Sequence, residues 1–139
     1  MGLTDTLSAQ FDVDEHGSDV RTELVAGLTT FLAMSYIIVV NPAILSAAIQ
    51  IEGYGQGEVF QMIAIATILS AAIGTAVMAL YANRPFGLAP GLGLNAFFAF
   101  TVVLGLGIPW QTALAAVFVE GVLFMLLTAV GAREYVIRL

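Results

Sequence analysis

The sequence predicts an all-α integral membrane protein with four crossings, the third of them broken at mid-depth. Three observations predict it. Of 139 residues, 60% are hydrophobic and 10% charged, where a soluble domain carries roughly a quarter charged; mean hydropathy is +0.98. The apolar residues come in long blocks rather than in alternating patterns, as lipid-facing spans do. All four basic residues, Arg21, Arg84, Arg133 and Arg138, fall on alternate connections between those blocks.

Residues 1–20 are expected to form an acidic cytoplasmic tail, disordered or interfacial, and residues 21–139 the transmembrane region. Asp5, Asp12, Asp14, Glu15 and Asp19 supply much of the net charge of -6, and the chain has no lysine. Such a tail repels nucleic acid and anionic lipid. It is no signal peptide, because its charges are acidic and the apolar run behind it is too long. The opening "MGLTDT" fits a myristoylation pattern, but the spans that follow make a lipid anchor redundant.

The first span covers about Leu24–Ile49, preceded by Arg21 and Glu23 at the interface. Its Thr29, Thr30 and Ser35 can bond to their own preceding turn. Asn41-Pro42 predicts a kink near the outer side, since proline removes a donor and clashes with the turn before it. The second span, Phe60–Ala82, reads as uniformly apolar. A crossing needs about 20 helical residues, which both satisfy. With arginines retained inside, both ends of the chain and the Arg84 turn are cytoplasmic. Trp110 and Tyr81 then lie near opposite interfaces.

The third span, Phe86–Leu104, contains "RPFGLAPGLGLNAFFAF" at residues 84–100. If Phe86–Pro90 is extended, five residues at about 3.3 Å each reach the bilayer midplane. A helix beginning near Pro90, which suits a first turn, then exits on the far side. Irregular backbone survives at that depth only where protein buries it or where it lines a cavity, and broken spans of this sort build midplane substrate sites. Gly91 and Gly93 would admit a ligand or a neighbouring strand. Asn95 offers both donor and acceptor, and Phe97, Phe98 and Phe100 an aromatic wall. The competing interpretation is a proline kink with glycines packed closely against neighbouring helices. A phosphate loop is excluded, for no Lys-Ser/Thr follows.

The fourth span, Thr112–Gly131, carries Glu120 as its ninth residue. A charged carboxylate at mid-span costs roughly 2.5–3.5 kcal/mol on insertion scales. Glu120 is thus either a proton-relay group beside the broken span or a neutral carboxyl bonded across helices. No catalytic set, cofactor site or metal site is predicted. There is no cysteine, the single His16 lies in the tail, and no nucleophile–base combination recurs.

Three stretches carry a resemblance. "RTELVAGLTTFLAMSYIIVVNPAIL", "ANRPFGLAPGLGLNAFFAF" and "ALAAVFVEGVLFMLLTAVGARE" occur in the order seen in AzgA-like purine permeases of the xanthine/uracil permease superfamily, which the chain resembles from about Phe11 onward. The resemblance implies the first four spans of a seven-plus-seven inverted-repeat transporter of the plasma membrane. It also implies a third span made of a short strand and a half-helix. Gly87-Leu88-Ala89 would be the strand and Gly91 onward the half-helix. The implied partners are a purine nucleobase (hypoxanthine, guanine or adenine), a proton in symport, and membrane lipid. Asn95 would bind substrate, with Ala96, Phe97 and Gly93 beside it and Thr30 and Met34 as further candidates from the first span.

Four spans are fewer than that architecture needs, and no partner for a mid-depth strand is evident among them. The chain is therefore expected to be a fragment whose site is completed by the remainder of the transporter or by another copy. The alternative is a self-contained four-span protein forming an oligomeric pore or exporter around paired Glu120 residues.

Overall fold

The computed structural model describes residues 2–13 and 17–129. Asp14, Glu15, His16, Arg133, Arg138 and the end of the fourth span lie outside them. The described residues form α1 (Leu3–Gln10), α2 (Val20–Met34), α3 (Ile37–Ser46), α4 (Gln56–Leu80), α5 (Leu92–Ala96), a π-helix (Phe97–Gly105) and α6 (Trp110–Ala129). Three stretches are long and apolar enough to cross a membrane: Val20–Ser46, Gln56–Leu80 and Trp110–Ala129. The helical part of the broken span, Leu92–Gly105, is shorter.

The expectation of a disordered or interfacial tail is corrected in part. Leu3–Gln10 is helical, and Asn83 donates a hydrogen bond from Nδ2 to Asp12 Oδ2 at 3.1 Å. Both residues hold positive φ, 51° at Asp12 and 48° at Asn83, which Asn and Asp tolerate better than other side chains. Asp19 caps α2: its carboxylate accepts from the Thr22 amide at 2.8 Å and the Thr22 hydroxyl at 3.0 Å. Those two hydrogen bonds favour the charged form and hold the Asp19 carboxyl below the usual carboxylate range.

The first span is interrupted, but not where Asn41-Pro42 predicts. Pro42 sits inside α3, fully buried, and the interruption falls at Ser35 and Tyr36. There the backbone tightens into three-residue steps, Ile38 N–H to Ser35 carbonyl and Val39 N–H to Tyr36 carbonyl, each 3.1 Å. The proline's steric demand falls on the turn preceding it, so the helix yields upstream of the proline.

Glu58 reaches back to the Gly55 N–H at 2.8 Å and closes the start of α4. The helix ends at Leu80, and Asn83 turns the chain in the left-handed region, as helix ends often require. From there to Gly91 the backbone is not helical, as predicted, and α5 begins at Leu92 with Gly91 as its N-cap. No strand is formed among the described residues, which corrects the assignment of Gly87-Leu88-Ala89. A strand requires a backbone partner, and here a side chain takes that place. The Leu88 N–H donates to Thr75 Oγ1 at 2.9 Å, and Thr75 Oγ1 donates to the Leu88 carbonyl at 3.3 Å. One residue of the extended segment thus does have a partner within these spans, contrary to expectation.

Beyond α5 the helix widens, a feature the sequence did not announce. The Leu106 N–H bonds to the Thr101 carbonyl five residues back at 2.9 Å. Gly105 closes this wide turn, where a Cβ would stand 3.0 Å from the Phe100 carbonyl oxygen. A small core gathers where α3, α4, the π-helix and α6 converge, with Ala48, Ile49, Val59, Phe98, Ala99 and Ala113 buried. Trp110 ties this end together by donating from Nε1 to the Gln50 carbonyl at 3.0 Å.

Candidate functional site

A polar chain crosses the centre of the helix packing. Thr67 is the twelfth of the 25 residues of α4, hence at the middle of a full-length span. Its hydroxyl donates to the Ile63 carbonyl one turn back at 2.7 Å and accepts from Asn41 Nδ2 at 2.9 Å. Asn41 Oδ1 in turn accepts from Asn95 Nδ2. Asn41 and Thr67 are 3% and 5% exposed, and buried amides must find partners or destabilise the fold. This chain therefore ties α5, the short helix after the non-helical stretch, to α3 and through Asn41 to α4.

Beside it runs a largely apolar groove of about 650 Å³ between α2, α3, α4 and the extended segment. Thr30, Met34, Thr67, Thr75, Gly87 and Leu88 line it. Gly87 presses directly on the first span: a Cβ there would stand 3.0 Å from Met34 Sδ and 3.2 Å from Thr30 Cγ2. A side chain at position 87 would require Met34 and Thr30 to give way by a few tenths of an ångström. Leu88 meets the facing wall, where a Cβ on Gly74 would lie 3.6 Å from its side chain.

The predicted residues fall into three groups. Thr30 and Met34 meet at Gly87 inside the groove. Asn95 is half-buried on the polar chain, with Ala96 half-buried and Gly93 and Phe97 exposed on the same short helix turn. A Cβ built at Gly91 or Gly93 would meet nothing within 4 Å, whereas one at Gly87 would crowd the first span. Thr67 belongs to both the groove and the polar chain. Glu120 stands apart on an exposed face of α6, among Ala116, Val119, Leu123 and Phe124.

The aromatic wall divides. Phe98 is in the core at 8% exposure, whereas Phe97 and Phe100 are 57% and 52% exposed. Sequence reasoning missed Thr67 and Thr75, because their block reads as uniformly apolar. It took Asn41 for a kink marker alone. A signal did exist, since Thr67 is a polar residue at the middle of a 25-residue apolar helix. Among the described residues no group of His, Cys, Asp and Glu could hold a metal ion.

Residues 21–139 match the permease family of xanthine and uracil carriers. The adenine permease AdeQ of Escherichia coli K12 is 48% identical over 95% of this chain and 28% of its own length. The guanine/hypoxanthine permease PbuO of Bacillus subtilis 168 is 44% identical over 92% of this chain and 28% of its own. A putative permease of Methanocaldococcus jannaschii, MJ0326, is 46% identical over 91% of this chain and 27% of its own. The chain thus spans about 28% of the length of the curated relatives it matches. No solved structure matches it. A family match that begins at Arg21 and takes in the groove, the polar chain and all three long spans means that the chain belongs to the xanthine/uracil permease family, which comprises transporters and not enzymes.

Proposed function

We propose that the chain is the N-terminal portion of a purine nucleobase permease of the plasma membrane, and that its broken span forms one wall of the substrate site. The observation that carries this reading is the non-helical stretch at residues 82–91, followed by a short helix whose Asn95 is joined through Asn41 to Thr67 at the centre of α4. A span broken within the bilayer is tolerated where it lines a cavity, and an amide beside it suits a heterocyclic edge. Relatives named for adenine, guanine and hypoxanthine supply the substrate class.

In this reading Asn95 bonds the base, Gly93, Ala96 and Phe97 lie beside it, and Thr30 and Met34 shape the approach from the first span. Transport is proton-coupled, with Glu120, the acidic residue near the middle of α6, as the coupling candidate, since ionisable residues inside a span are functional candidates by default. The arginine pattern supports a cytoplasmic tail and Arg84 turn. The remaining spans of a seven-plus-seven inverted repeat complete the site, and the 28% of their own length over which the two adenine permeases and a guanine/hypoxanthine permease match supports that reading.

The test is uptake of radiolabelled adenine, hypoxanthine and guanine in cells lacking their own carriers and expressing the full-length protein. Uptake that a protonophore abolishes is expected. Asn95→Ala should reduce it at least about tenfold, the worth of one well-placed hydrogen bond to a buried polar group, with membrane abundance unchanged. Undiminished uptake in that variant removes Asn95 from the site.

A further inference from the structure

We infer that Thr67, through Asn41, sets which face of the Asn95 carboxamide is offered to a ligand, and is thereby a specificity-determining positioning residue. The inference rests on the reading of Asn95 as a substrate contact. It follows from the direction in which hydrogen bonds must run. The Ile63 carbonyl can only accept, so the Thr67 hydroxyl spends its single proton there, at 2.7 Å. Thr67 Oγ1 can then only accept, and Asn41 must turn its NH2 toward it, at 2.9 Å. That leaves Asn41 Oδ1 on the other side, and only the NH2 of Asn95 can meet it.

Each member fixes the next, and the direction of the whole chain is set by one backbone carbonyl in α4. An isolated asparagine amide exchanges its oxygen and nitrogen by a half-turn at little cost, because its terminal torsion is broad and roughly two-fold. Here that half-turn would oppose two carbonyl oxygens, or strand a buried NH2 at Asn41, which is 3% exposed. The Asn95 oxygen and its second N–H make no hydrogen bond among the described residues, so they are held in one arrangement for a ligand. Adenine and hypoxanthine present reversed donor and acceptor patterns on the six-membered ring edge. For a base that the rest of the site holds in one orientation, a carboxamide that cannot turn distinguishes them; one that can turn accommodates both.

Thr67→Val keeps the shape of the side chain and removes the hydroxyl. In the full-length protein, mutual competition between adenine and hypoxanthine for uptake should then lose discrimination about three- to tenfold. Thr67→Ser, which restores the hydroxyl, should recover it. Asn41→Leu should act like Thr67→Val. If Thr67→Val lowers uptake of both bases by the same factor, the residue is structural only and the inference fails, while the site reading stands. It fails likewise if the unaltered protein does not distinguish the two bases, or if Thr67→Ser does not recover what Thr67→Val loses. If Asn95→Ala leaves uptake of both bases unchanged, the site reading fails and takes the inference with it.

Discussion

Gly105 is where a single missing methyl group sets the local geometry. The wide turn that ends the π-helix brings the Phe100 carbonyl oxygen to 3.0 Å from where a Cβ would stand. A backbone carbonyl cannot swing aside as a side-chain terminus can. Gly105→Ala should therefore destabilise the protein by about 1–3 kcal/mol, the usual cost of forcing an extra carbon into packed structure. Thermal unfolding of the purified protein in detergent measures it; an unchanged midpoint would mean that the helix re-forms with ordinary spacing. Gly87 differs, because its nearest neighbour is the flexible Met34 sulfur. At this scale the sequence was partly legible. Proline and glycine mark positions where regular backbone stops, and Pro85, Gly87 and Pro90 lie within the non-helical stretch. They do not say what replaces it.

The extended segment between α4 and α5 shows what could and could not be read of an element. Its existence followed from composition and from length against the bilayer. Its pairing did not, because the strand implied by the family resemblance would pair in a ladder, and this backbone bonds to a threonine hydroxyl. Nothing in the residues of the segment points to Thr75, thirteen positions earlier and on another helix. The π-helix escaped for a related reason: widening from four- to five-residue spacing reflects how the turns pack, and no residue type announces it. The Ser35–Tyr36 interruption was displaced from Pro42 because the proline's demand falls on the preceding turn. If Thr75 is the partner of Leu88, Thr75→Val strands an N–H and a carbonyl at once. A loss of about 1–3 kcal/mol is expected, with Thr75→Ser close to the unaltered protein. Thermal midpoints of the two variants decide it, and equal stability of Thr75→Val and the parent would show that water or another group serves Leu88 as well.

Taken whole, the chain has two distinct ends and a largely apolar middle crossed by one polar chain. At one end the tail meets the turn after α4 through Asp12 and Asn83. At the other, the connection after α3 meets the start of α6 through Gln50 and Trp110. This is the grouping that the alternate placement of arginines predicts, reached from contacts instead of charge. Large apolar side chains stand exposed along α2, α4 and α6, among them Leu24, Ile73 and Phe124, a surface far beyond what a soluble monomer exposes and suited to lipid or further helices. The stretch contains no cysteine, so single cysteines introduced into it report without background from its own residues. In the full-length protein, Gln10→Cys and Tyr81→Cys should react with a membrane-impermeant maleimide from one face of the membrane. Glu52→Cys and Leu106→Cys should react from the other. In the proposed orientation the first pair is inside, so right-side-out vesicles should label only the second pair and inverted vesicles only the first. Labelling of Tyr81→Cys and Glu52→Cys from the same face would mean that α4 does not cross. The Asn95–Asn41–Thr67 chain, anchored at the centre of α4, would then lose its claim to the middle of the bilayer.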